Sequence, residues 1–289
     1  MFLAQLAEAE REVDLVVIPG DIFDRVPTLE ELEIYFRLVS ERTVETIIGT
    51  GNHEAAKKGV SFFEQLKDVT EKLNPLVRVI TRPHTEGNYH IIPYEYIKDE
   101  KMWESLDPSY AVFTHVRGAI EPHVKPEIPL EWLDKFPVVF AGDLHSHSNT
   151  QRNIVYPGSP MTTSFHRNRV DTGYLIADSE DWSWSWHKFN LPQLIRKTVS
   201  DPSEMIPTDF DHTVYELEGT LKDLSQVENS ELLDKKVVKR SSQTTLLLKR
   251  DQPVAEKLKT YLERVMQLPN GQLEEVMGVF NEYGSTENA

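Results

Sequence analysis

Two short strings, each directly after a β-branched apolar run, set the frame into which this chain must fold. Gly20-Asp21-Ile22-Phe23-Asp24 follows Leu15-Val16-Val17-Ile18, and Gly51-Asn52-His53-Glu54 follows Val44-Glu45-Thr46-Ile47-Ile48. Apolar runs closed by glycine predict buried strands that end in loops. In open α/β sheets, ligands sit at the carboxyl ends of strands. An Asp, an Asn and a His are therefore expected together at one sheet edge. Their oxygen and imidazole donors suit Mg²⁺, Mn²⁺ or Zn²⁺.

Each string alone has a plain alternative. Asp and Asn favour turns for local hydrogen-bonding reasons, and a lone histidine is more often a satisfied core residue than a ligand. Two further strings weigh against that. Thr114-His115-Val116 follows Tyr110-Ala111-Val112-Phe113, and Gly142-Asp143-Leu144-His145 follows Val138-Val139-Phe140-Ala141. Four strings in this order, each after a strand-like run, resemble the calcineurin-like metallophosphoesterases. That superfamily's pattern is D-x-H, G-D-x-x-D, G-N-H-[DE], a lone His, then G-H-x-H. The resemblance implies an α/β chain: a metallophosphoesterase β-sandwich flanked by helices, with a small α+β capping domain.

The chain departs from the pattern twice. No D-x-H precedes Gly20; Phe2 to Glu8 has the spacing of an amphipathic helix instead. In the family, a first strand and the D-x-H loop lie upstream of that helix. The expectation is an N-terminal truncation or an internal start rather than a one-metal variant, with a paired edge and apolar surface left exposed. The last box also reads G-D-L-H, which places Asp143 where the family has a metal-binding His. A carboxylate there still ligates Mn²⁺ or Mg²⁺ and favours harder cations. A rival register pairs His145 with His147.

By resemblance, Asp21 would bridge two ions, and Asn52, His115 and Asp143 would complete one shell. His145 would serve the other ion, beside the missing Asp and His. One ion should bind well and the other poorly, so the activity of the chain alone is left open. His53 would be no ligand; it would stabilise charge or protonate the leaving oxygen. Asp24 would orient neighbours.

Tyr156-Pro157-Gly158-Ser159-Pro160, followed by Ser164-Phe165, narrows the resemblance. This string is similar to nuclease subunits of the SbcCD type, including phage counterparts, and similarity holds over residues 1–190. Such subunits imply a Mn²⁺-dependent exonuclease and endonuclease acting on DNA ends in the cytoplasm of a bacterial or phage-infected cell. They also imply an ABC-type coiled-coil ATPase partner and a homodimer. The alternatives are a phosphoesterase for small substrates and a degenerate scaffold without catalysis.

Domain limits are expected at 1–190 for the nuclease domain, 193–268 for the cap and 271–289 for a helical tail. Within the cap, strands are expected over 195–199, 213–217, 235–240 and 244–248, then a helix over 254–267. Pro269-Asn270-Gly271 is a strong breaker. The tail beyond it carries Leu273, Val276, Met277, Val279 and Phe280 at helical spacing, for packing on its own domain or for docking on the ATPase. The alternating Trp182, Trp184 and Trp186 predict a half-buried strand; stacking on nucleic-acid bases is the other reading.

Composition bounds the rest. The 289 residues contain no cysteine, which excludes disulfides and thiolate zinc sites. No run is long enough to span a membrane, and no Walker or dinucleotide glycine motif is present. The net charge of −16 argues against strong autonomous DNA binding, which depends on Lys and Arg neutralising phosphates. It leaves room for a nuclease subunit whose partner supplies the basic surface.

Overall fold

The computed structural model describes residues 1–55, 61–238, 252–266 and 268–284. Contacts divide the chain into two units, Met1–Lys197 with Ile206–Val214, and Thr198–Met205 with Tyr215–Ala289.

The first unit opens with helix α1 (Phe2–Ala9), strand β1 (Leu15–Ile18), helix α2 (Leu29–Ser40), strand β2 (Glu45–Ile48), helix α3 (Phe63–Leu73) and strand β3 (Val77–Val79). The three strands form a parallel sheet in the order β1-β2-β3. β1 lies at its edge with all four apolar residues half-buried. Helix α2 starts where a capping box forms: Glu31 N–H donates to Thr28 Oγ1, and Thr28 N–H to Glu31 Oε2. Its inner face buries Tyr35, Leu38 and Val39. Tyr35 and Val39 pack with Phe23, Ile48, Phe63, Val77 and Val79 in one core. Each such side chain, fully buried, contributes about 1.5–3 kcal/mol. Leu29, in the first turn of α2, is 82% exposed.

Strands β4 (His84–Glu86) and β5 (Tyr89–Ile92) come next, then helix α4 (Glu100–Ser105) and strands β6 (Ala111–His115), β7 (Val139–Gly142) and β8 (Ile154–Val155). They make a five-stranded sheet in sequence order, antiparallel at β4–β5 and parallel after that. One face packs Ile92, Val112, Val139 and Ile154 against Trp103, Ile128, Leu133 and Phe136. The other buries Ala111, Val138, Phe140 and Val155, with Leu175, Ala177 and Trp182 packed on them. These last belong to an antiparallel ribbon of β9 (Gly173–Ala177) and β10 (Trp184–Lys188), or to its turn. Trp182 is therefore no strand residue. It sits in that turn at φ 58°, with its ring on Tyr89, Phe113 and Phe140.

Strands β11 (Leu194–Val199) and β12 (His212–Gly219) carry the chain across the division. In the second unit β12 pairs in parallel with β13 (Leu233–Val238), and helix α5 (Leu221–Ser225) lies between them in sequence. Helices α6 (Val254–Arg264) and α7 (Asn270–Gly284) pack on each other. Pro269 stands between α6 and α7, and its carbonyl accepts from Gln272 and Leu273 at the start of α7. The strand expected at 244–248 and the end of the one expected at 235–240 lie outside the described residues. Strand β4 and helix α4 went unread. The first has only three residues and the second six, too few to show a period. No described helix is long and apolar enough to cross a membrane.

Candidate metal centre

Parallel pairing brings the strand ends together. Ile18 stands opposite Ile48, and His115 opposite Gly142, so the loops that follow emerge side by side. Tyr94 N–H donates to Thr50 O at 3.2 Å, joining the loop after β5 to the loop after β2.

Within this edge the two opening loops are stapled by Glu54. Its side chain is fully buried and accepts three backbone N–H groups: Asp21 and Gly51 at 2.8 Å on Oε2, and Phe23 at 3.0 Å on Oε1. Burial, opposed by these bonds, raises its pKa. The staple holds Asp21 at φ 56°, a left-handed conformation uncommon outside glycine. A Cβ at Gly51 would collide with the Asp21 carboxylate, so only glycine lets the loops approach this closely.

His115 is the hub. Its Nε2 lies 2.9 Å from Asn52 Oδ1, 3.2 Å from Asp21 Oδ2 and 3.7 Å from Asp143 Oδ1. Its side chain is 1% exposed and that of Asp143 is 7% exposed. The ring has no room behind it: a Cβ at Gly142 would stand 2.6 Å from His115 Nδ1, which is buried without a hydrogen-bond partner. Tyr94 packs edge-on against the ring, 6.0 Å between centroids.

Burial disfavours the imidazolium, but the carboxylates of Asp143 and Asp21 outweigh it and raise the His115 pKa to about 9. Burial likewise works to raise Asp143, and His115 and Arg117 overcome it, holding the carboxyl at about 2. A cation held at His115 Nε2 would therefore have to displace a proton.

Among the described residues, no three His, Asp or Glu side chains have closed to metal-holding geometry. The donor set with Asn52 included nevertheless suits one hard cation. It has two carboxylates, an amide oxygen and an imidazole. Donors bound to one ion at about 2.1 Å and at right angles lie about 3 Å apart, close to the 2.9 and 3.2 Å separations found here.

The other predicted residues fall around this cluster. His53 donates its backbone N–H to Asp21 Oδ1 at 3.1 Å, and its Nδ1 lies 2.7 Å from the carbonyl of Asp24. His53 Nε2 lies 3.8 Å from Asp21 Oδ2. The Nδ1 of His145 lies 3.1 Å from Thr163 Oγ1. His147 has its Nδ1 2.6 Å from Tyr156 O and its ring stacked on Trp186.

Sequence reading missed Arg117, Glu127 and Tyr94. Arg117 forks Asp143, Nε to Oδ2 at 3.0 Å and Nη2 to Oδ1 at 3.1 Å. Glu127 accepts from Tyr94 O–H at 2.7 Å and from Arg117 N–H at 3.4 Å. None carries a periodic or motif signal. Glu54 was visible as the last letter of its string, but its role was not.

The sequence profile of the calcineurin-like phosphoesterase family matches residues 2–147. The chain is 38% identical over 273 residues to "Probable exonuclease subunit 1" of Escherichia phage T5, covering 91% of this chain and 83% of that protein. It is 25% identical over 194 residues to "Putative phosphoesterase 244L" of Invertebrate iridescent virus 6, covering 59% and 66% respectively.

Proposed function

Because the chain belongs to the calcineurin-like phosphoesterase family, we propose that it is the nuclease subunit of a DNA-end-processing complex, cleaving phosphodiester bonds with a divalent cation, Mn²⁺ by preference. The convergence of Asp21, Asn52 and Asp143 on His115 Nε2 carries the chemistry. The likeness to a phage exonuclease subunit over most of the chain supports the substrate.

Asp21, Asn52, His115 and Asp143 hold the ion. When bound, it supplies Lewis acidity to the phosphoryl group and a water of lowered pKa. Asp21 fixes the His53 backbone through Oδ1. The carbonyl of Asp24 only accepts, so His53 carries a hydrogen on Nδ1, and the proton passed to the leaving oxygen would be the second one, on Nε2 of the imidazolium. A second ion, as the motif strings imply it, would draw on Asp21 and His145.

The partner is an SbcC-like ABC-type ATPase, and the working form is a homodimer in the cytoplasm of a phage-infected cell. The α6–α7 pair supports a docked partner: Val254, Tyr261, Met266, Val276 and Val279 are exposed on it. An apolar helical face of this kind suits a helix-in-groove contact. The net charge of −16 leaves the basic surface for DNA to that partner.

The test is cleavage of end-labelled linear duplex DNA across a Mn²⁺ titration, with His53→Ala as control. Mn²⁺-dependent shortening that falls by about 10²–10⁴-fold in the variant is the expected result. Equal rates in the two proteins, or hydrolysis of small phosphodiesters with no action on DNA, would overturn it.

A further inference from the structure

Arg117 lies outside every motif string, yet it closes a circuit around the candidate metal centre. Asp143 follows directly on β7 at φ 89°, a left-handed conformation uncommon outside glycine. Its carboxylate is nearly buried and shares the neighbourhood of His115 Nε2 with a second carboxylate, Asp21. Left alone, it would turn to water and away from its like-charged neighbour. The Arg117 fork prevents this with two parallel charge-assisted hydrogen bonds. Arg117 is held in turn. Its N–H donates to Glu127 Oε2, its carbonyl accepts from Glu127 N–H at 3.2 Å, and Glu127 Oε1 takes the hydroxyl of Tyr94. Tyr94 then rests on the His115 ring. The sequence His115–Tyr94–Glu127–Arg117–Asp143 thus returns to His115, and only its first and last members are candidate ligands.

We propose that Arg117 is the positioning residue of this centre. Its guanidinium fork holds the Asp143 carboxylate toward His115, Asn52 and Asp21 and offsets the charge of the second carboxylate. The inference rests on the metal-centre reading above. The fork, not the charge alone, is what acts. Lysine would keep the charge but place it as a single point, without two parallel donors. Outer partners of ligating carboxylates typically change metal affinity or activity about 10–100-fold when removed.

The experiment is calorimetric titration of the full chain with Mn²⁺ alone, for the wild type, Arg117→Gln and Arg117→Lys, with thermal unfolding of each apo protein. The expected result is a Mn²⁺ Kd raised about 10-fold or more in Arg117→Gln and only partly restored in Arg117→Lys, with apo Tm values close to the wild type. If Arg117→Gln is poorly folded, Arg117→Lys carries the same test. Wild-type affinity in both variants, with only the KM for DNA raised, would overturn the inference and make Arg117 a phosphate contact. Full restoration by lysine would overturn the fork. No Mn²⁺ binding by the wild type would overturn the metal-centre reading itself.

Discussion

Gly142 and Glu54 show how little freedom the site residues have. A methyl group at Gly142 meets His115 Nδ1 at 2.6 Å, and the ring, buried and flanked by Tyr94, can only move toward its neighbours Asn52 and Asp21. Gly142→Ala should therefore keep the fold and lose about 10²-fold in cleavage rate, as a misplacement of about 1 Å does. A rate assay read beside a circular dichroism spectrum checks this. Glu54→Gln sets an amide NH₂ against backbone N–H groups that now share a carboxylate. The expected loss is about 1–3 kcal/mol in urea unfolding. Asp21, Asn52, His115 and Asp143 were legible in the sequence because each closes or follows a strand, where the fold class puts its ligands. Arg117, Tyr94 and Glu127 were not, because they reach the site through contacts that no spacing encodes. His145 was legible as a letter of its string, whereas the contact of its Nδ1 with Thr163 was not.

Among the elements, the turn after α1 is tied to the end of α2 by a buried ion pair. Glu10 and Arg42 are 0% and 1% exposed in their side chains. Thr43 Oγ1 donates to the free oxygen of Glu10, and Arg42 Nε donates to Leu38 O. Glu10→Ala strands the guanidinium and should cost about 3–5 kcal/mol; the urea midpoint reads it. Tyr35, between α2 and α3, donates or accepts with Thr70 at 2.7 Å. Burial pushes its pKa up to about 12. The unfolded value is about 10, so the folded chain holds the proton more tightly. The contribution is complete below pH about 10 and is lost as pH rises toward about 12. Between about pH 8 and pH 11, wild type should lose about 1 kcal/mol more than Tyr35→Phe. Helices α1, α6 and α7 were legible from their 3.6-residue period, whereas α4, with six residues, was not. Trp182 was misread because alternation with Trp184 and Trp186 survives a turn that the ring's burial imposes.

For the whole molecule, charge and site pull in opposite directions. A chain of net charge −16 has little phosphate-neutralising surface of its own. Its binding to duplex DNA without divalent ions or a partner should be no tighter than the non-specific range of about 10⁻⁴–10⁻⁶ M. A mobility-shift titration with EDTA checks this. In the proposed function Asp21, Asn52, His115 and Asp143 form one cation site. The most direct test is anomalous diffraction at the manganese edge from crystals of the full chain grown with Mn²⁺. A strong peak within bonding distance of Asn52 Oδ1 and His115 Nε2, lost in His115→Ala, is the expected result. A peak elsewhere with these residues bare, or no peak at saturating Mn²⁺, would contradict it.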